Sequence, residues 1–293
     1  MRSHRAFSMI ELLAVLGIIV LLMSLLIPTL RGVHLSALRT KCLNNIRMLE
    51  LAHVAYATDH RGAFVDMGLP HGGTGSEESA WINTLREYYG GPDYHGETEE
   101  EEEHRYQRNE LILRSPLDRS PHWSKADGGQ GVPIPGSTDR FRRTSYGGNN
   151  YLSRSYSFDA ALYGPAAAAD RLSKVLDPAA TVHFLIMVFQ DDYGFCGSDH
   201  VHVEEWWINP PVQAASQTQT NAYRGREGDW MAQSNYGFLD GHVATLEFNE
   251  VYLPPHDRDG DGSIEFDDMV SRFDPKISNR FNAIRAVISG EGP

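Results

Sequence analysis

From Leu12 to Ile27 only Gly17 and Ser24 interrupt an apolar run, and extending it back through Ile10, Met9 and Phe7 gives 21 residues with one charge, Glu11. At about 1.5 Å per residue a helix of that length covers roughly 30 Å, the thickness of a bilayer's hydrocarbon layer. The reading is therefore one transmembrane helix over 7–27. Arg2, His4 and Arg5 precede it, which places residues 1–5 in the cytoplasm and the carboxy-terminal bulk outside, against the weaker pull of Arg31, Arg39 and Lys41. A cleaved secretory signal fits poorly. Its apolar stretch runs to about 7–15 residues and ends in a small-x-small site, whereas this one ends in Ile27-Pro28-Thr29-Leu30-Arg31. A plain anchor leaves Glu11 unexplained, since a carboxylate costs about 2.5–3.5 kcal/mol at the centre of such a span, less near its start, and calls for a partner.

Past Pro28, Leu35, Leu38, Cys42, Ile46, Leu49, His53 and Tyr56 recur at three- or four-residue intervals, with Arg39, Lys41, Arg47 and Glu50 between them. That spacing is one apolar helix face. A helix from about Phe7 to Thr58 would be about 75 Å long, its second half packed on a sheet, and His60-Arg61-Gly62 ends it.

The octapeptide Ala6-Phe7-Ser8-Met9-Ile10-Glu11-Leu12-Leu13 resembles the prepilin-type cleavage and methylation motif of type IV pilins and type II secretion pseudopilins. The resemblance implies cleavage between Ala6 and Phe7 by a prepilin peptidase, Ala6 standing where the family usually has Gly. It implies N-methylation of Phe7 and pairing of Glu11 with the amino terminus of a neighbouring subunit. Pro28 falls where pilin helices often bend; proline removes a backbone donor and crowds the preceding turn. Residues 41–62 further resemble a prepilin-like group abundant in planctomycete-type bacteria. Asn235 to Val243 resembles that group's Asp-Gly-His-Val signature, with Trp230 in place of its upstream His.

The head, residues 61–250, reads as α+β, with an antiparallel sheet under the long helix. A short helix is expected over Ala80–Tyr89, a buried strand over Thr181–Phe189 and another strand over His200–Ile208. Asn235–Leu239 and His242–Phe248 flank Asp240-Gly241, a signal for a hairpin with a two-residue turn. The Gly-, Pro- and Ser-rich stretch 115–136 reads as loops or a partly disordered insertion, and the Glu97–Glu103 run as a solvated acidic segment.

The tail, 251–293, carries Asp257-Arg258-Asp259-Gly260-Asp261-Gly262-Ser263-Ile264-Glu265-Phe266-Asp267-Asp268. This matches the twelve-residue EF-hand calcium loop: carboxylates at positions one, three and five, Gly at six, the Ser263 carbonyl at seven, Ile264 inward at eight and Glu265 at nine. Asp268 stands at twelve, where Glu is usual. Calcium takes hard oxygens, and five carboxylates this close repel one another without a cation. With no entering helix after Pro254-Pro255, the loop reads as a Ca2+ clip like a dockerin half-hand.

Other chemistry is sparse. His200, His202 and Glu204 share a strand face at period two, beside Asp199, a spacing open to a metal or to a polar face. Cys42 and Cys196 allow one disulfide or two thiols. Lys41, Lys125, Lys174 and Lys276 do not sit in a phosphate-binding loop, no nucleophile elbow is present, and the reading is not an enzyme. A formal net charge of −13 argues against a nucleic-acid partner.

The expectation is thus a pilin-like structural subunit of a type IV pilus or type II secretion system. The resemblance implies partners in the prepilin peptidase, other pilin or pseudopilin subunits and an inner-membrane assembly platform. It implies a bacterial inner-membrane location with a periplasmic head before assembly, and a pilus, pseudopilus or cell-surface location after it. The alternative is a standalone membrane-anchored surface protein whose head binds a ligand such as a glycan through Trp206, Trp207 and Trp230.

Overall fold

The computed structural model describes residues 9–69, 80–89, 112–189, 194–260, 262–264 and 268–289. The acidic run 97–103 lies outside them. The chain divides into two units, one up to Lys41 and one from Cys42 onward. Helix α1, Met9–Asp59, runs through both. In the first unit its apolar side chains, from Met9 through Leu30 to Val33, are exposed wherever described. The helix is long and apolar enough to cross a membrane.

In the second unit α1 is buried on one face by Cys42, Ile46, Leu49, Ala52, His53 and Ala57. Leu35 is exposed, so the packed stripe begins later than its spacing suggested. Glu50, expected on the solvent side, is fully buried with Ile46 and Leu49. The helix stops at Asp59 as anticipated: Arg61 and Gly62 turn left-handed (φ 57° and 80°), and the Gly62 amide donates back to the Ala57 carbonyl at 2.7 Å.

The fold is α+β, but the sheet is mixed where an antiparallel one was expected. Its strands are β1 (Tyr146–Asn149), β2 (Val182–Ile186), β3 (His200–Val201), β4 (Gln233–Phe238) and β5 (Val243–Glu247), in spatial order β3-β1-β2-β4-β5. β3 runs parallel to β1 and every other pairing is antiparallel. The strand expected to reach Ile208 ends at Val201, and a 3-10 turn follows at Val203–Glu205. The helix expected over 80–89 is the single turn α2, Trp81–Thr84, continued by looser turns.

The hairpin falls where Asp240-Gly241 placed it, with a longer loop. The Phe238 amide donates to the His242 carbonyl (3.0 Å) and the Gly241 amide to the Phe238 carbonyl (2.8 Å), so Leu239, Asp240 and Gly241 form a three-residue turn. Only Gly241 is left-handed, at φ 91°.

β2 is buried along its whole length. On one side Phe184 and Ile186 join the α1 core with Ile46, Leu49 and Trp81. On the other, Val182, Leu185 and Met187 join Trp206, Tyr236, Phe238 and Phe273. Against β4, Val182 pairs with Phe238 and Leu185 with Tyr236, so three steps on β2 match two on β4. That bulge breaks the alternation of side chains and lets the adjacent His183 and Phe184 both face α1.

The 115–136 stretch is irregular yet packed. Trp123 is buried, and Asp118 meets Arg142 at 2.8 Å with both side chains fully buried. Arg142 also donates to the Val188 and Cys196 carbonyls (2.7 and 2.8 Å). Further helices among the described residues include α3 (Phe158–Tyr163), α4 (Pro210–Ala215) and α5 (Phe281–Ser289).

Candidate functional site

Of the residues at the amino-terminal motif, Ala6 and Phe7 lie outside the described residues. Glu11 is in the first turn of α1 and exposed, flanked by the exposed Met9, Ile10, Leu12 and Leu13.

In the tail loop, Asp261 and Glu265 lie outside the described residues. Carboxylate oxygens of Asp257, Asp259 and Asp268 come within 4.8 Å of one another. Asp257 Oδ1 accepts from the Gly260 amide (2.6 Å) and its Oδ2 from the Gly262 amide (2.8 Å). Gly260 and Gly262 take φ of 80° and 93°, which a residue with a Cβ rarely adopts. Asp268 Oδ1 accepts from the Arg258 amide at 3.0 Å, and Ser263 is exposed beside this turn. The loop is closed at its base by a β-bridge between Tyr252 and Ser271 and by the Leu253 amide on the Val270 carbonyl (2.9 Å). Leu253, Val270 and Phe281 pack together beneath it.

The cysteines are not bridged. Cys42 sits in the α1 core against Ser115 Oγ (3.4 Å) and Tyr146 Oη (3.5 Å), where burial pushes its thiol up, and Cys196 is buried in the 3-10 turn Gly194–Gly197.

His200, His202 and Glu204 do not share a strand face, because the chain turns after Val201. Each His instead has its own carboxylate. His200 Nδ1 lies 3.0 Å from Asp199 Oδ1, and His202 Nδ1 lies 2.9 Å from Glu204 Oε1. Asp199 also accepts from the Gly68 and Leu69 amides (3.0 and 3.1 Å), tying the segment after α1 to the sheet edge. Burial pushes the Asp199 carboxyl up to about 7 and pulls the His200 imidazole down to about 3. The three tryptophans do not make one exposed platform: Trp206 is in the core, Trp230 packs partly buried on Phe248, and Trp207 is exposed.

One cluster escaped the sequence reading. Glu50 and His53, one turn apart on α1, face His183 at the β2 bulge, all three fully or almost fully buried. Glu50 Oε2 is 2.9 Å from His183 Nδ1, and Glu50 Oε1 accepts from the Phe184 amide at 3.0 Å. The His53 and His183 rings lie 4.1 Å apart. Burial holds the Glu50 carboxyl well above the usual carboxylate range, pulls His183 down to about 3 and pulls His53 well below its ordinary value. In all three, burial disfavours the charged form. The only advance signal was the Glu-x-x-His spacing within a buried helix face.

Comparison with protein-family models, with curated proteins and with solved structures finds no match to this chain.

Proposed function

We propose that this chain is a prepilin-type structural subunit, anchored by α1 and assembling with like subunits into a type IV pilus or type II secretion pseudopilus. The observation that carries the reading is α1 itself. An apolar, outward-facing helical stretch with one carboxylate near its start runs without a break into a helix whose later half is the core of an α+β head. A lone anchor needs the apolar stretch but neither the carboxylate nor the helical continuation. In the proposed assembly, Phe7 is the processed and methylated terminus, and its ammonium pairs with Glu11 of a neighbour in a low-dielectric bundle, where an unpaired carboxylate is costly. The head is pilin-like, with the tail loop as a calcium clip. The convergence of Asp257, Asp259 and Asp268, and the two Asp257 bonds to glycine amides, support that assignment.

The test is Glu11→Ala in the native host. Loss of the protein from sheared filaments or from the assembled pseudopilus, with membrane insertion and head folding intact, supports the subunit. Unchanged assembly contradicts it.

A further inference from the structure

We propose that Glu50, His53 and His183 are the protein ligands of a divalent transition-metal site, best suited to zinc, in the seam between α1 and β2. Two imidazoles and one carboxylate are a zinc-type donor set, whereas calcium and magnesium take oxygen ligands. The site lies apart from the acidic tail loop and does not depend on the subunit reading.

Four observations carry it. One ligand atom from each residue lies within 4.8 Å of the other two. Tetrahedral vertices about 2.0–2.1 Å from a zinc ion are roughly 3.4 Å apart, so shifts on the order of 1 Å close the three on an ion. Second, both ring nitrogens of His53 and Nε2 of His183 are buried without a hydrogen-bond partner. A metal bond would satisfy one of the two on His53, while His183 turns Nδ1, 2.9 Å from Glu50 Oε2, toward the same point. Third, Glu50 and His53 stand at i and i+3 on one helix, a spacing that helical metal sites use, while the β2 bulge turns His183 toward them. Fourth, His53 borders a cavity of about 200 Å³ lined also by Ala57, Phe64 and Leu239, so open space reaches one member of the cluster.

The experiment is cobalt titration of the full-length protein in detergent after chelator stripping, followed by zinc X-ray absorption on the wild type. The expected result is one cobalt ion per chain with the intense visible bands of a tetrahedral nitrogen-containing site, bleached by one equivalent of zinc. Those bands should be lost in His53→Gln and His183→Gln, and the zinc spectrum should show two imidazoles. Oxygen-only binding at the tail loop gives weak octahedral bands and cannot imitate this. A wild type without tetrahedral bands, or bands retained in both variants, overturns the site. If a variant fails to fold, the wild-type zinc spectrum decides: a first shell without histidine scattering overturns the proposal.

Discussion

Glu50 Oε2 lies 2.9 Å from His183 Nδ1, and the two residues join the last third of the long helix to the central strand across 133 positions of sequence. The Phe184 amide meets the other carboxylate oxygen at 3.0 Å, so one helical side chain holds two consecutive residues of the β2 bulge. Replacing Glu50 with Ala leaves both polar partners dry and opens a cavity. Each buried polar group left without its partner costs about 1–3 kcal/mol, and two are left here. Thermal unfolding of Glu50→Ala should fall on the order of 10 °C below wild type; a change within error would mean that the contact does not hold helix to sheet.

Gly237 on β4 makes room for that carboxylate. A Cβ there would press on Glu50 Oε1 and stand 2.7 Å from Ile46 Cγ2 and 2.8 Å from Glu50 Cγ. Because Glu50 is pinned by Phe184 and His183, it cannot swing aside without losing those bonds. Gly237→Ala should therefore destabilise the head by about 1–3 kcal/mol, measured by denaturant unfolding. In a Glu50→Ala background part of that cost should vanish, and equal costs in both backgrounds would contradict the steric account.

Asp199 gives a pH dependence. Its folded carboxyl is held up at about 7, above the ordinary value of 3.8. Its contribution is then fully present below about pH 4, and it is lost as pH rises through about 7, because the unfolded chain releases the proton first. Asp199→Asn cannot titrate. It should be the less stable protein at pH 4.5, since one carbonyl oxygen cannot serve the Gly68 amide, the Leu69 amide and His200 together, and the gap should narrow toward pH 7.5. Parallel stability curves for the two proteins would refute the assigned burial.

The calcium clip predicts a ligand-dependent melting temperature. Saturation at a hundred times the dissociation constant stabilises a folded state by about 2.7 kcal/mol. Adding calcium to chelator-stripped protein should raise the wild-type midpoint by several degrees and leave the Asp257→Asn, Asp259→Asn double variant unmoved. An equal response in both proteins would assign calcium's effect elsewhere.

Much of this fold is legible in the chain because its signals are local. The stripe Cys42, Ile46, Leu49, His53 gives the packed face of α1, and Arg61-Gly62 gives its end. Asp240-Gly241 marks the hairpin, although the turn takes a third residue because only Gly241 adopts a positive φ. Glu50 misleads because its charge argues for solvent while its place, four residues after Ile46, belongs to the buried face; its partner His183 is remote. β1 is hidden for a related reason. Tyr146-Gly147-Gly148-Asn149 has no strand-forming pattern, and its glycines are there because Met187 and Met67 press against that backbone. The His200–Ile208 alternation fails at Val203, where Asn150 takes up the strand's next polar groups, its Oδ1 accepting from the Val203 amide (3.3 Å) and its Nδ2 donating to Glu204 Oε2 (2.6 Å).

The most direct test of the subunit reading is the mass of the amino-terminal peptide from membranes of the native host, with and without its prepilin peptidase. The account predicts a peptide beginning at N-methylated Phe7 that disappears when the peptidase is removed. An intact Met1 terminus in both strains, or a cut beyond Ile27, would contradict it.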